Sequence, residues 1–442
     1  MTQKEALNIL KTGANVFLTG EPGSGKTHTV NSYVKWLREH GIQPSVTAST
    51  GIAATHIGGY TIHSWAGLGI RDKLTEYDLD QMGTNERLVK RLNSARVLII
   101  DEVSMLSSQM LSMVDQVCRA LKDSNRAFGG LQVVLVGDFF QLPPVRDRFA
   151  FYSSSWEESS FIVCYLSEQH RQEDGAFLNL LGAIRRGEVN EDHIELLNSR
   201  FDTKEHKDIP RLYSHNLDVD ILNKHELDKL SINSRAFLMG SRGPENRVTQ
   251  LKKGCLSPET LHLKVGARVM FTKNNFEEGF VNGTLGKVVG FSKTNGNPEV
   301  KTDKGKVIEV EKAEWAIEEN NRVLASISQI PLRLAWAITI HKSQGMSLDS
   351  AHMDLSATFE YGQGYVALSR VRTFSGLILA GINKRALEVH PDIMEKDIRF
   401  KESSLAAQNS FDKLKTREIT KMHDNFIRAS GGKKPVTSKK SS

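Results

Sequence analysis

Cysteine is scarce in this chain: three residues in 442, namely Cys118, Cys164 and Cys255. They are scattered, without the paired spacing of a disulfide framework or a cysteine zinc site, which fits a reducing compartment. Long apolar runs are missing as well. No stretch approaches the ~20 residues that a membrane-spanning helix needs, and the start MTQKEAL resembles neither a secretory signal nor an import presequence. A cytoplasmic, nucleoid-associated protein without a membrane partner is therefore expected. A large excess of one charge is absent too, since 58 basic and 52 acidic residues leave a net charge of +6. That modest value gains meaning beside the basic run KKPVTSKK near the C-terminus, because polyanions are drawn to such a surface. No repeat recurs at a fixed period. The remaining composition, 39% hydrophobic and 25% charged, is that of an ordinary globular protein. Its length calls for about two to four domains.

The most informative segment present is GEPGSGKT at residues 20–27. It satisfies the phosphate-loop pattern G-x-x-x-x-G-K-S/T, with apolar Val16-Phe17-Leu18 before it and a helix-compatible segment, His28 to Glu39, after it. Glycines let such a backbone close round phosphates so that successive N–H groups converge on the anion. Gly23, Ser24 and Gly25 would form the cradle. Lys26 would reach the β- and γ-phosphates and Thr27 would hold Mg²⁺, which predicts a nucleoside triphosphate ligand.

Apolar strands alternate with helical segments up to about residue 165: Val16–Thr19, Ser45–Ala48, Val97–Ile100, Val133–Val136 and Ile162–Leu166. Such runs read as strands buried on both faces of a parallel sheet. A second set follows at Arg211–Ser214, Ala337–Ile340 and Leu377–Ala380. The fold class expected is α/β, with two lobes. Between the later strands, residues 240–330 carry short β-rich segments punctuated by NG, GN and KG pairs. These suggest a small inserted barrel. The domains expected are 1–165 for the first lobe, 166–239 plus 331–385 for the second, and 240–330 for the insertion. A helical segment at 386–429 and a disordered basic tail at 430–442 complete the chain.

Asp101 and Glu102 close the apolar strand of VLIIDEVSM, where open α/β sheets place their ligand chemistry. Asp101 is suited to position Mg²⁺, and Glu102 to orient or deprotonate the attacking water. One strand further, VVLVGDFFQLPPV places Gln141 beyond Gly137-Asp138. Its amide suits sensing of the γ-phosphate, while a plain surface role for Gln141 stays open.

These motifs and their order resemble the PIF (petite integration frequency) group of superfamily-one DNA helicases, of the short bacterial or phage-like type. The resemblance covers about residues 3–382 and continues through TASTGIAA, TIHSWAG, LSEQHRQ, RLYSHNLDVDILN, FVNGTLGKVVG, AITIHKSQGMSLD and GYVALSRVRT. It implies two RecA-like lobes, a wedge inserted in the first at about 65–77, and a Src-homology-type barrel inserted in the second. By the same resemblance Gln3 contacts adenine, although little precedes it. Gln344 and Gly345 link nucleotide to DNA, and Arg171 and Arg370 reach the γ-phosphate from the second lobe, so that closure and hydrolysis become one event. Single-stranded DNA is implied to touch Thr50, Gly51, Thr61, His63, Asn216, His341 and Lys342, groups suited to a sequence-tolerant grip. His63 also fits a structural role, and Trp65 fits either the wedge tip or the core.

The resulting expectation is an ATP- and Mg²⁺-dependent helicase that moves 5′ to 3′ on single-stranded DNA and opens forked duplexes. Guanine quadruplexes and RNA–DNA hybrids are further partners to consider, and a monomer able to self-associate on DNA is expected. A weakly unwinding translocase is the nearest alternative. A nucleic-acid binder with a merely structural loop would show damage at Lys26, Glu102, Arg171 or Arg370, and all four are intact. A small-molecule kinase fits the second half of the chain poorly.

Overall fold

The computed structural model describes the chain apart from residues 57–58, 70, 146, 168–173, 205–208, 215–218, 232, 276, 320–321, 345 and 434–442, together with the side chains of 52, 55, 56, 318, 319 and 342. Contacts divide it into two units. One holds residues 1–139, 143–170 and 395 onward; the other holds 140–142 and 171–394.

The first unit is built on six parallel strands: β1 (Val16–Gly20), β2 (Ser45–Ala48), β3 (Tyr60–Thr61), β4 (Val97–Asp101), β5 (Gln132–Val136) and β6 (Ile162–Leu166). Their order is β3-β2-β4-β5-β1-β6. Register sets their C-terminal ends level, with Ala48 opposite Asp101, Leu18 opposite Val136 and Gly20 opposite Leu166. Strand alternation divides β1 between two cores. Val16 and Leu18 join Ala6, Ile9, Tyr33 and Leu37. Phe17 points to the other face, with ring centroids 5.2 Å from Phe139, 5.2 Å from Trp156 and 5.0 Å from Phe400. Full burial of such a ring contributes about 1.5–3 kcal/mol.

Helix Lys26–Glu39 buries Thr29, Val30, Tyr33 and Leu37, a stripe at helical spacing, against the first core. The end of the chain adds to the same unit. Within helix Pro391–Asp412 the Ser404 hydroxyl accepts the Tyr165 N–H at 2.9 Å, which satisfies a backbone donor on edge strand β6. Ala407, Phe411 and Phe426 pack on the core, and Phe426, from helix Thr416–Ala429, stacks on Trp36 with centroids 6.5 Å apart. From residue 395 the segment expected to be helical falls within the first unit, where its apolar side chains pack on that core.

In the second unit four parallel strands run in the order Ala337–Thr339, Arg211–Tyr213, Ala351–Leu355, Leu377–Ile382. The Asn223 side chain pins the first of these, accepting the Trp336 and Ala337 N–H groups at 3.0 Å and donating to the Ala337 carbonyl at 2.8 Å. Ala351–Leu355 was not among the expected strands, since AHMDL alternates buried and half-buried positions instead of forming an apolar run. The turn-rich stretch forms antiparallel sheets. One has five strands in the order Val307–Glu309, Pro298–Thr302, Leu285–Phe291, Arg268–Phe271, Leu332–Leu334. A second pairs Arg322–Gln329 with Ala313–Glu319 on one side and Gly240–Arg242 on the other. Val269, Phe271, Val288, Val300, Ile308 and Leu332 form part of the core on the five-stranded sheet.

Candidate active site

All six strands of the first unit end at one edge, and the candidate residues follow their ends. After β1 the chain turns through Gly20, Gly23 and Gly25 at φ +147°, +85° and +89°. A side chain at Gly20 would meet the Leu166 backbone carbonyl at 2.7 Å, and one at Gly25 would meet Gln3 Nε2 at 2.2 Å, so Gly20 has no room for a Cβ and Gly25 is favoured by its positive φ. Gln3 lies against this loop. Its Nε2 donates to the Ser24 carbonyl at 3.4 Å, and its Oε1 lies 2.9 Å from His28 Nδ1. Lys26 Nζ folds onto its own loop, donating to the carbonyls of Gly20 at 2.7 Å and Glu21 at 3.1 Å. Thr27 is exposed in the first helical turn.

Asp101 ends β4 and accepts the Glu102 N–H at 2.8 Å. Burial pushes its carboxyl up from the ordinary carboxylate range, opposed by that N–H and by the charge of Lys26. Thr27 and Asp101 offer a hydroxyl and a carboxylate, hard oxygen donors of the kind Mg²⁺ takes in small number beside phosphate oxygens. Among the described residues no group of three or more His, Cys, Asp and Glu could hold a metal without a substrate. Glu102 has φ 54°, ψ 48°, a left-handed conformation that costs a non-glycine residue roughly 1–2 kcal/mol. Two neighbours hold it there. The Ser49 hydroxyl donates to the Glu102 carbonyl at 2.6 Å, and the Ser49 N–H to the Asp101 carbonyl at 3.1 Å. On the other side Gly137 lies so close to Val103 N that a Cβ would come within 2.9 Å. Sequence reasoning missed Ser49; its only signal was its place directly before Thr50.

Gln141 lies in the segment that contacts assign to the second unit. It accepts the Gln344 Nε2 amide at 3.2 Å, and both side chains are buried. Gln344 belongs to a turn that Arg370 secures, with Arg370 Nη1 donating to the carbonyls of Ser343 at 3.4 Å and Met346 at 3.3 Å. His341 opens that turn, accepting the Gln344 N–H through its carbonyl. The structure thus brings together Gln141, Gln344, His341 and Arg370. Arg171, Asn216, Gly345 and the Lys342 side chain lie outside the described residues.

Of the residues expected on the DNA track, Thr50 caps a short helix, accepting the Ala53 N–H at 3.2 Å, with Gly51 next to it. Thr61 does the same for Ser64 N–H at 3.3 Å. His63 follows, and burial pulls its imidazole below the usual range. Trp65 is a core residue, 1% exposed, with no hydrogen-bond partner for its Nε1. Ala66 and Leu68 are equally buried, so the tip reading fails for these side chains: their apolar area packs inward.

A cavity of about 360 Å³ opens beside the phosphate loop, lined by Glu21 and Ser24, by Tyr165–Ser167 and by residues of helix Pro391–Asp412.

Comparison with known proteins identifies a family. Residues 2–195 match the model of the PIF1-like helicase family, and residues 248–291 that of the DNA helicase Pif1 2B domain. The chain is 43% identical to the ATP-dependent DNA helicase Pif1 of Psychrobacter sp. (strain PRwf-1), over 98% of this chain and 75% of the relative. The crystal structure of Bacteroides sp Pif1 in complex with ADP-AlF4 superposes with a TM-score of 0.79 at 32% identity, over 90% of this chain and 96% of that one. Bacteroides Pif1 bound to ssDNA matches with a TM-score of 0.60 at 31% identity, over 91% and 96%. Similarity of this extent, on a chain that keeps the phosphate loop and its carboxylates, shows that it belongs to the PIF1-like family of ATP-dependent DNA helicases.

Proposed function

We propose that the chain hydrolyses ATP at the phosphate loop and uses that energy to move 5′ to 3′ along single-stranded DNA, separating forked duplexes. The observation that carries the reading is the state of Lys26, an ammonium held by two carbonyls of its own loop and close enough to Asp101 to stabilise its charge. Phosphate oxygens can replace those carbonyls without moving the backbone. Thr27 and Asp101 would then hold Mg²⁺, which shields charge on the phosphates. Glu102, fixed by its strained backbone, takes the proton of the attacking water. Lys26 balances charge on the transferring phosphoryl group, the role that the family resemblance also gives to Arg171 and Arg370. Arg370 must exchange carbonyl partners to do so, which links hydrolysis to the turn carrying Gln344, and through Gln344 to Gln141.

Thr50, Gly51, Thr61, His63, Asn216, His341 and Lys342 form the proposed DNA track, and hydroxyls, amides and backbone N–H groups there grip phosphates without reading bases. Lys26→Ala is expected to abolish hydrolysis while leaving single-stranded DNA affinity intact. Equal loss of both in a folded variant would sink the assignment. Unwinding of duplexes with a 5′ or a 3′ tail tests direction, and opening from the 3′ tail alone refutes it. Quadruplex and RNA–DNA hybrid substrates are read in the same assay, and sedimentation with and without DNA reads self-association of the expected monomer. Burial of Trp65 favours a second reading, a translocase with weak strand separation. Vigorous DNA-stimulated hydrolysis with little unwinding distinguishes it.

A further inference from the structure

We propose that helix Thr416–Ala429 carries a second DNA surface, a basic stripe of Arg417, Lys421 and Arg428 that takes the phosphate backbone of duplex DNA without reading its bases. Charge is spread unevenly along the chain. Residues 413–442 hold nine basic and two acidic residues, a net charge of +7 against +6 for all 442, so the other 412 residues carry −1. A basic excess gathered in one stretch is the electrostatic footprint of a surface for polyanions. The helix before it is different: Pro391–Asp412 pairs Arg399 with Glu395 and Lys401 with Asp397, each at 2.7 Å. Among the described residues Arg417, Lys421 and Arg428 form no ion pair, and all three are exposed.

Packing fixes which way the stripe faces. His423 Nε2 lies 2.9 Å from the Asn8 carbonyl, Phe426 packs on the core of the first unit, and Ile427 is buried. Arg417, Lys421 and Arg428, at i, i+4 and i+11, fall within about 40° of one another on the opposite side of a helix with 3.6 residues per turn. They span about 16 Å at 1.5 Å per residue. Past the helix the Gly432 N–H donates to the Ile427 carbonyl and the Lys433 N–H to the His40 carbonyl, both at 2.8 Å. The end of the stripe is thereby tied down before any partner arrives. Of the two acidic residues, Glu418 turns back to accept the Lys415 N–H at 2.8 Å, which leaves Asp424 as the one carboxylate beside the stripe. Duplex DNA fits such a surface best. The family acts on DNA, and a duplex is a stiff rod with one charge per ~1.7 Å of its axis, so a rigid row of cations meets several phosphates at once. None of the residues of the proposed single-strand track lies on this helix.

The test uses the full chain with Arg417→Gln, Lys421→Gln and Arg428→Gln combined, since glutamine keeps the helix propensity of the residues it replaces. Fluorescence anisotropy measures binding of a blunt duplex and of a short oligothymidine over a range of salt. Duplex affinity is expected to fall about tenfold at ~0.1 M salt, and the slope of log K against log salt by about 2–3, because each phosphate contact contributes about 0.9. Oligothymidine affinity stays as in the parent. A second variant, Lys90→Gln with Lys224→Gln and Lys253→Gln, loses the same charge from three exposed lysines on other helices and should bind duplex as the parent does. Unchanged duplex affinity and slope in the stripe variant overturn the proposal. So does an equal loss in the second variant, which would reduce the effect to net charge. An equal loss for oligothymidine would make the stripe part of the single-strand grip, and polyglutamate that competes as well as duplex at equal charge would assign it to an acidic protein; either result overturns the proposal too.

Discussion

Gly25→Ala, combined with Gln3→Ala, tests how the phosphate loop is held. Gly25 has φ +89°, and an added Cβ would sit 2.2 Å from Gln3 Nε2 and 2.6 Å from its Cδ. Two costs follow. A left-handed conformation costs a non-glycine residue roughly 1–2 kcal/mol. The clash meets the far end of a flexible side chain, so Gln3 swings away and gives up its contacts to the Ser24 carbonyl and His28, worth about 1 kcal/mol together. Gly25→Ala alone should therefore cost about 2–3 kcal/mol, and Gln3→Ala about 1. Because the second cost is shared, the double variant should be no less stable than Gly25→Ala alone, a coupling of about 1 kcal/mol. Denaturant unfolding of the four proteins measures it, and ATP affinity follows the same order. Strict additivity would refute the reasoning, since Gln3 would then not be the group that Gly25 accommodates.

Ser49→Ala removes the hydroxyl that holds the Glu102 carbonyl. It should lower DNA-stimulated ATP turnover about tenfold, with a stability loss near 1 kcal/mol and DNA affinity intact; unchanged turnover would show that Glu102 needs no such support. Burial pushes the Cys164 thiol up to about 12 and the Cys255 thiol up to about 11, and raises Cys118 further. Iodoacetamide at pH 8 should therefore leave the native protein almost unlabelled while the unfolded chain reacts at all three sites. Asp303→Ala strips the buried Arg268 guanidinium of both its 2.5 Å contacts and should cost about 3 kcal/mol, read by denaturant unfolding. Burial lowers the His63 pKa, so protonation favours the unfolded chain. The stability this residue contributes is complete above about pH 6.5 and is lost as pH falls through the folded value. His63→Gln should flatten the loss of stability between pH 7 and 5, and an identical pH profile would count against a neutral buried imidazole.

What could be read from the residues alone follows the range of the forces involved. The phosphate loop was legible because its chemistry is local: three glycines with positive φ and one lysine lie within eight positions. The strands of the first unit were legible for a similar reason, since Val97–Ile100 and Val133–Val136 are buried on both faces and no polar residue interrupts them. Ala351–Leu355 was not, because its alternate positions are only half buried and a periodic signal of five residues is weak. Trp65 was ambiguous for another reason. A tryptophan beside glycines fits a tip or a core equally well, and only its neighbours decide.

The hardest features to foresee join residues far apart in the chain. Ser49 and Glu102 meet because β2 and β4 are adjacent with Ala48 opposite Asp101, and nothing in TASTGIAA announces a carbonyl partner. Ser404 and Tyr165 are separated by 239 positions, so no window of sequence contains both. Read locally, the segment around Ser404 is a polar helix with no stated purpose. Its task becomes visible only once edge strand β6 is known to need a cover. The same distance explains why the site could be named from its motifs while its boundary could not. Catalytic groups are selected for their own chemistry and carry it in the sequence, whereas the segments that cover a sheet edge need only be the right surface in the right place.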